Sequence, residues 1–232
     1  PVIVQPTALE ECDDEIADET TEFDLTVKND EITAGNIDWE VIYYETQEDA
    51  LTGVNAIENP EAYTNTAIAD NAANPQTLHV AVVNIEGCIA YTTLTIRVLP
   101  NPTPSTDAED IELCDYDNPG DQIEVFDITI NEAYIINGEL GVSAAYYESL
   151  ENATDEIDPI VNPTTYSNIE LGQQTIYVRV TNDTTGCFTI VTFDIIVNPL
   201  PDIGDVPDVI ACEINTDGFF DFDLETVTSE LL

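Results

Sequence analysis

The chain has 232 residues, 43% of them hydrophobic, and a formal net charge of −45 from 48 acidic residues against three cations, Lys28, Arg97 and Arg179. That apolar content builds cores, so the acidity does not mean disorder, and the length fits one large domain or two of about 100 residues. The charge excludes nucleic acid, whose binding needs cationic groups to displace counterions, and an anionic membrane surface for the same reason; with no run of about 18 apolar residues, no membrane insertion is expected either.

From the N-terminus, Pro1-Val2-Ile3 lacks an initiator and the chain contains no methionine, which points to a processed product or an excised segment. A cysteine block follows, Cys12-Asp13-Asp14-Glu15 running on to Phe23-Asp24-Leu25-Thr26. Trp39, Val41 and Tyr43 then stand at every second position. Leu78, Val80 and Val82 alternate with His79, Ala81 and Val83, and Leu94, Ile96 and Val98 alternate with Thr95 and Arg97. A period of two is the signature of half-buried strands. The segment closes on a proline-rich joint, Pro100-Asn101-Pro102-Thr103-Pro104, which favours an extended semi-rigid spacer.

The same order then recurs. Cys114-Asp115-Tyr116-Asp117 leads to Phe126-Asp127-Ile128-Thr129, and Tyr146-Tyr147-Glu148 matches Tyr43-Tyr44-Glu45. Asn162-Pro163 with Tyr166 matches Asn59-Pro60 with Tyr63. Gln174-Thr175-Ile176-Tyr177-Val178 matches Gln76-Thr77-Leu78-His79-Val80, and Gly186-Cys187 matches Gly87-Cys88. A third block opens at Cys212, so cysteine blocks begin at 12, 114 and 212, a period close to 100. A repeat of this length defines the fold before anything else does. The expectation is all-β: tandem immunoglobulin-like β-sandwich domains of about 100 residues in a rod, with roughly seven strands each and little helix. The expected boundaries are 1–101, 102–200 and 201–232, the last the start of a third repeat, in a window from a longer array.

The five cysteines sort by repeat into Cys12 with Cys88 and Cys114 with Cys187, leaving Cys212 without its partner. Intradomain disulfides are the expectation, with buried free thiols as the alternative. Disulfides place the protein outside a reducing cytoplasm, and no Cys-x-x-Cys motif supports a redox or zinc site.

An enzyme has little material here. His79 is the only histidine, at an outward strand position occupied by Tyr177 in the second repeat; no Gly-x-Ser-x-Gly elbow or phosphate loop occurs, and Trp39 reads as core. The acidic blocks offer oxygen ligands instead. Glu213-x-Asn215-x-Asp217-Gly218 spaces donors as in the front half of a calcium loop, with glycine at the sharp turn. The second repeat gives Asp115, Asp117 and Asp121; the first gives Asp13, Asp14, Glu15, Asp18 and Glu19. Asp24, Asp127 and Asp223 stand where they close each site. Bound Ca²⁺ is one expectation; a solvated acidic loop is the other.

Together the Cys–acidic-loop–Phe-Asp-Leu-Thr, Tyr-Tyr-Glu-Thr, Asn-Pro-x-x-Tyr-x-Asn and Gln-Thr-Ile-Tyr-Val-Arg-Val…Thr-Gly-Cys blocks resemble the repeats of giant surface adhesins exported by type IX secretion in Bacteroidetes-type bacteria, the SprB-like gliding-motility adhesins. The resemblance spans essentially the whole chain. It implies a long filament on the outer surface, partnered by neighbouring repeats of the same chain and by a surface ligand bound elsewhere in the full protein. It also implies O-glycosylation at Thr184 within Asp183-Thr184-Thr185. The expected function is thus that of structural stalk repeats supporting attachment and gliding. A glycan- or protein-binding module is a second reading, needing Tyr44, Tyr147 and Tyr177 exposed on one face. A self-assembling fibre subunit is a third.

Overall fold

The computed structural model describes residues 1–14, 16–68, 71–201, 208–210, 212 and 217–222. The first repeat contains β1 (Leu9–Cys12), β2 (Glu22–Phe23), β3 (Glu40–Tyr44), β4 (Tyr63–Thr64), β5 (Gln76–Val83) and β6 (Ile89–Leu99). A four-stranded sheet has the order β1-β6-β5-β3, and β2 pairs with β4 in a second, two-stranded sheet. β5 and β6 form the central antiparallel hairpin, whereas β1 runs parallel to β6, in register from Leu9↔Ile96 to Cys12↔Leu99.

The alternation seen in the sequence is what closes the sandwich. Leu78, Val80, Val82, Leu94, Ile96 and Val98 point from the large sheet into one core with Phe23 and Tyr63 of the small one. Trp39 and Val41 pack on its edge. Tyr43 is buried there too, and its hydroxyl lies 2.8 Å from the Leu25 carbonyl oxygen and 2.7 Å from Asn29 Oδ1, acceptors for its single proton, which satisfies a polar tip that burial would otherwise penalise.

The second repeat repeats the plan with β7 (Ile111–Cys114), β8 (Val125–Phe126), β9 (Val142–Tyr147), β10 (Tyr166–Ser167), β11 (Gln173–Asn182) and β12 (Phe188–Asn198). Its large sheet has the order β7-β12-β11-β9, with β7 parallel to β12, and its small one pairs β10 with β8. Its buried residues include Phe126, Ile128, Ile176, Val178, Val180, Phe193, Ile195 and Val197. These are two tandem immunoglobulin-like sandwiches, as expected.

Two details differ from the expectation. Each repeat has six strands among the described residues rather than seven, and each carries two short helices, α1 (Asn29–Thr33) and α2 (Gln47–Thr52), then α3 (Glu132–Ile136) and α4 (Leu150–Asp155). Helices of five or six residues are too short to show a 3.6-residue period. Their signal is the cap: Thr46 accepts from the Asp49 amide, Ser149 from the Asn152 amide, and Gly53 ends α2 at φ +71°.

Candidate functional site

The strand registers place the two cysteines of a repeat far apart. Cys12 stands beside Leu99, the last residue of β6, while Cys88 directly precedes Ile89, the first. An 11-residue strand lies between those positions, roughly 35 Å at 3.3 Å per residue. A disulfide needs its Cα atoms within about 7 Å. The expected Cys12–Cys88 bridge is therefore excluded by the pairing of β1 with β6, and Cys114–Cys187 by the identical register in the second repeat, where Cys114 stands beside Asn198 and Cys187 precedes Phe188.

What the structure forms is Cys12–Cys187, with Cα atoms 5.5 Å apart and 175 residues of separation. Both cysteines lie in one compact unit, residues 1–108, 130–161 and 176–192, the remainder of the described second repeat forming a smaller one. The bridge joins the exit end of the first repeat's large sheet to the hairpin end of the second's. Cys88, Cys114 and Cys212 are exposed thiols.

Local chemistry presents each cysteine. In the β5–β6 hairpin, Asn84 Oδ1 accepts from the Cys88 amide at 2.8 Å, and Gly87 takes the left-handed conformation (φ +77°) that an L side chain resists. Before Cys187, Gly186 takes the same conformation (φ +79°), but Asn182 Oδ1 accepts from the Thr184 (2.9 Å) and Thr185 (3.1 Å) amides, and it is Thr185 Oγ1 that accepts from the Cys187 amide (3.3 Å). The joint between the repeats is bonded along the same path. Asn101 Nδ2 donates to the carbonyls of Asp13 (2.8 Å) and Asp14 (3.2 Å), Thr189 Oγ1 donates to the Pro102 carbonyl (2.6 Å), and the Ser105 amide donates to Ile135 O (2.9 Å).

The acidic loops are shaped by hydrogen bonds, and the shaping explains most of the repeated motif. Asp13 Oδ2 accepts from the Glu19 amide (3.1 Å) as Asp115 Oδ2 accepts from that of Gly120 (2.6 Å). Asn65 holds the first loop through Glu19 O and the Thr21 amide, and Asn168 holds the second through Gln122 O and the Glu124 amide. The Asn of Tyr-x-Asn is thus a loop clamp, a role the sequence did not reveal. Gln76 and Gln174 donate to the hydroxyls of Tyr63 (2.8 Å) and Tyr166 (2.7 Å) from the first position of the strand motif.

Of the expected calcium ligands, Asp13 and Asp18 converge with Asp14, one oxygen of each lying within 4.8 Å of the others. Asp24 and Asp127 are turned elsewhere: each cradles the amide and hydroxyl of the threonine two residues on, Thr26 and Thr129, which starts a turn rather than closing an ion site. Asp115 is buried with Oδ1 lacking a hydrogen-bond partner, and Asp121 accepts from Asn118 and the Ile123 amide. Asp115, Asp117 and Asp121 do not join a converging group of three among the described residues. Glu15, Glu213, Asn215 and Asp223 lie outside the described residues, and Asp217 accepts from the Phe219 amide.

The remaining candidates are placed as follows. Tyr44 is 3% and Tyr147 1% exposed, so they form no aromatic platform; Tyr44 packs with Ala50 of α2 and Ala81. His79 is half-buried in a groove of about 320 Å³ with Gln47, Leu51, Tyr91 and Thr93, and burial holds its pKa below the ordinary value. Thr184 is exposed in the β11–β12 turn. Arg179, in the place of Ala81, is buried: it donates to the carbonyls of Ala153 and Thr154 at the end of α4 and lies 3.4 Å over the Phe188 ring.

The bridge between repeats finds its counterpart in a known family, the Flavobacterium inter-domain disulphide bond domain, which matches this chain twice, over residues 8–104 and 110–201. The chain belongs to that family. Among solved structures, the fibronectin(III)-like modules of Clostridium thermocellum CbhA share 16% identity over 68% of this chain and 77% of theirs, with a TM-score of 0.30. The ectodomain of human Desmocollin-1 shares 16% over 76% of this chain and 37% of its own (TM-score 0.23), and human Mucin-like Protocadherin EC1-2 shares 12% over 87% and 98% (TM-score 0.25). No curated protein matches. Within the family's two matched spans lie both halves of Cys12–Cys187, one in each. Among the described residues no helix is long and apolar enough to cross a membrane.

Proposed function

We propose that this member of the inter-domain disulphide family is a stalk segment of a long cell-surface adhesin of the SprB-like, type IX-secreted kind. It holds an adhesive region away from the cell and supports attachment and gliding, and no catalysis is assigned to it. The observation that carries the reading is Cys12–Cys187 spanning the proline joint, because a covalent clamp across a linker limits bending there and requires an oxidising compartment. Burial of Tyr44 and Tyr147 removes the hint that favoured a ligand-binding face. The test is labelling of intact producing cells with antibody to this chain, together with protease shaving. Surface labelling that shaving removes is expected; signal only after lysis would overturn the reading.

The proposal includes calcium. Asp13, Asp14 and Asp18 supply converging carboxylate oxygens, the hard donors Ca²⁺ prefers. A bound cation would relieve part of the mutual repulsion of a chain carrying −45. Melting in millimolar calcium and in chelator at fixed ionic strength decides this: calcium is expected to raise the midpoint, and equal midpoints would remove calcium while leaving the stalk.

A further inference from the structure

We propose that the acidic loop of the second repeat holds a calcium ion of its own, bound by the buried carboxylates of Asp115 and Glu124. The site shares no ligand with Asp13, Asp14 and Asp18 of the first repeat and does not depend on them.

Asp115 is 1% exposed and Glu124 7%, and both belong to one loop. Amides hold each on one oxygen. Asp115 Oδ2 accepts from the Gly120 amide (2.6 Å), and Glu124 Oε1 accepts from the amides of Tyr116 and of Asp117 (2.9 Å for the latter). The donors are the consecutive stretch 116–120, so both carboxylates lie inside the same turn of chain. Their other oxygens receive nothing: Asp115 Oδ1 is buried without a partner, and no described residue donates to Glu124 Oε2. The neighbouring polar groups are already paired. Asp121 takes up Asn118 Nδ2 and the Ile123 amide on its two oxygens, and Asn168 takes up the Glu124 amide and donates to Gln122 O.

Buried carboxylates are retained where a counter-charge, a full set of hydrogen bonds or a metal ion compensates them. The three cations of the chain are committed elsewhere: Lys28 to Glu31 (3.2 Å), Arg97 to Glu10 (2.8 Å) and Arg179 to Glu156 (3.5 Å). A divalent cation is the partner that answers two carboxylates of one loop at once. Their oxygens are the hard donors Ca²⁺ takes, and loop carbonyls and water complete such a shell. The first repeat has no such pair. Thr21, whose amide donates to Asn65 Oδ1 as that of Glu124 donates to Asn168 Oδ1 (2.8 Å in both), stands in the place of Glu124.

The test is calorimetric titration of Ca²⁺ into the chelator-treated full chain carrying Asp14→Asn and Asp18→Asn, which removes the first-repeat carboxylates. A bound calcium is expected to remain. Adding Asp115→Asn or Glu124→Gln should weaken it by about tenfold or more, because affinity follows the charge of the ligand set. Melting separates a ligand from a scaffold residue. In chelator Asp115→Asn should melt no lower than its parent, since it removes a charge that nothing offsets, and it should lose only the calcium-dependent rise. Tb³⁺ on the same parent locates the ion without touching a ligand. Its emission excited through tyrosine should drop with Tyr116→Phe, the tyrosine next to Asp115 and 76% exposed. Calcium affinity unchanged by Asp115→Asn, or Tb³⁺ emission indifferent to Tyr116→Phe, would overturn the proposal. Calcium abolished by Asp14→Asn and Asp18→Asn alone sinks this inference and leaves the first-repeat site; calcium untouched by them and lost with Asp115→Asn leaves this site and sinks the other.

Discussion

At the scale of single residues, the repeated motifs are mostly instructions for satisfying buried polar groups. Asn168 is 4% exposed and serves two carbonyls and one amide, which its replacement by alanine strands without partners. Asn168→Ala is expected to lower unfolding stability by about 2 kcal/mol, read as a shift of the urea midpoint; an unchanged midpoint would mean water takes over the clamp. Arg179 is the cation that burial makes most sensitive to substitution, with its side chain 7% exposed. Lysine has the charge but neither the fork nor the flat face, so Arg179→Lys is expected to cost about 2 kcal/mol in the same assay. These roles were only half legible beforehand. That Asn-Pro-x-x-Tyr-x-Asn recurs is visible in sequence; that its last residue reaches an acidic loop more than 40 positions away is not, because the contact is made by tertiary approach.

At the scale of elements, strand identity followed from alternation, and the short helices escaped because their length hides their period. The pairing of the small sheet with the large one is linked to pH through Tyr63 on β4. Burial, chiefly, and the negative charge of Glu45 push its hydroxyl up to about 12, against the lowering hydrogen bond from Gln76. Tyr43 is shifted in the same direction. A raised folded-state value means the folded chain keeps its proton longer than the unfolded one. The associated stability is therefore complete below about pH 10, the ordinary tyrosine value, and is lost as pH rises through about 12. The urea midpoint is expected to hold from pH 8 to 10 and fall beyond. Tyr63→Phe should flatten part of that fall, and an identical alkaline profile in the variant would refute the assignment to this residue.

At the scale of the whole molecule, the bridge changes how the chain carries load. Residues 12 and 187 are tied, so tension applied at the termini bypasses the 175-residue separation between them. In single-molecule pulling, the oxidised chain should extend only outside the tie. Reductant should release roughly 600 Å more at about 3.5 Å per residue; full-length release without reductant would show that the bridge does not bear the force. The loop-entropy account assigns a tie of this span up to about 5 kcal/mol against global unfolding. Cys12→Ser is accordingly expected to lower the denaturation midpoint and to expose the proline joint to protease.

By itself the sequence determined the repeat, the sandwich class, the core-facing residues of the long strands and the acidity. All of these are written in spacing, period and composition, which are properties of the linear chain. Only the tertiary structure decided which cysteines meet. Counting cysteines per repeat favours a bridge within each repeat, but the parallel pairing of β1 with β6 sets Cys12 and Cys88 at opposite ends of one 11-residue strand. A disulfide is decided by distance in space. Here the first strand's direction set that distance, and no local pattern records which way a strand will run against a partner more than 80 residues on.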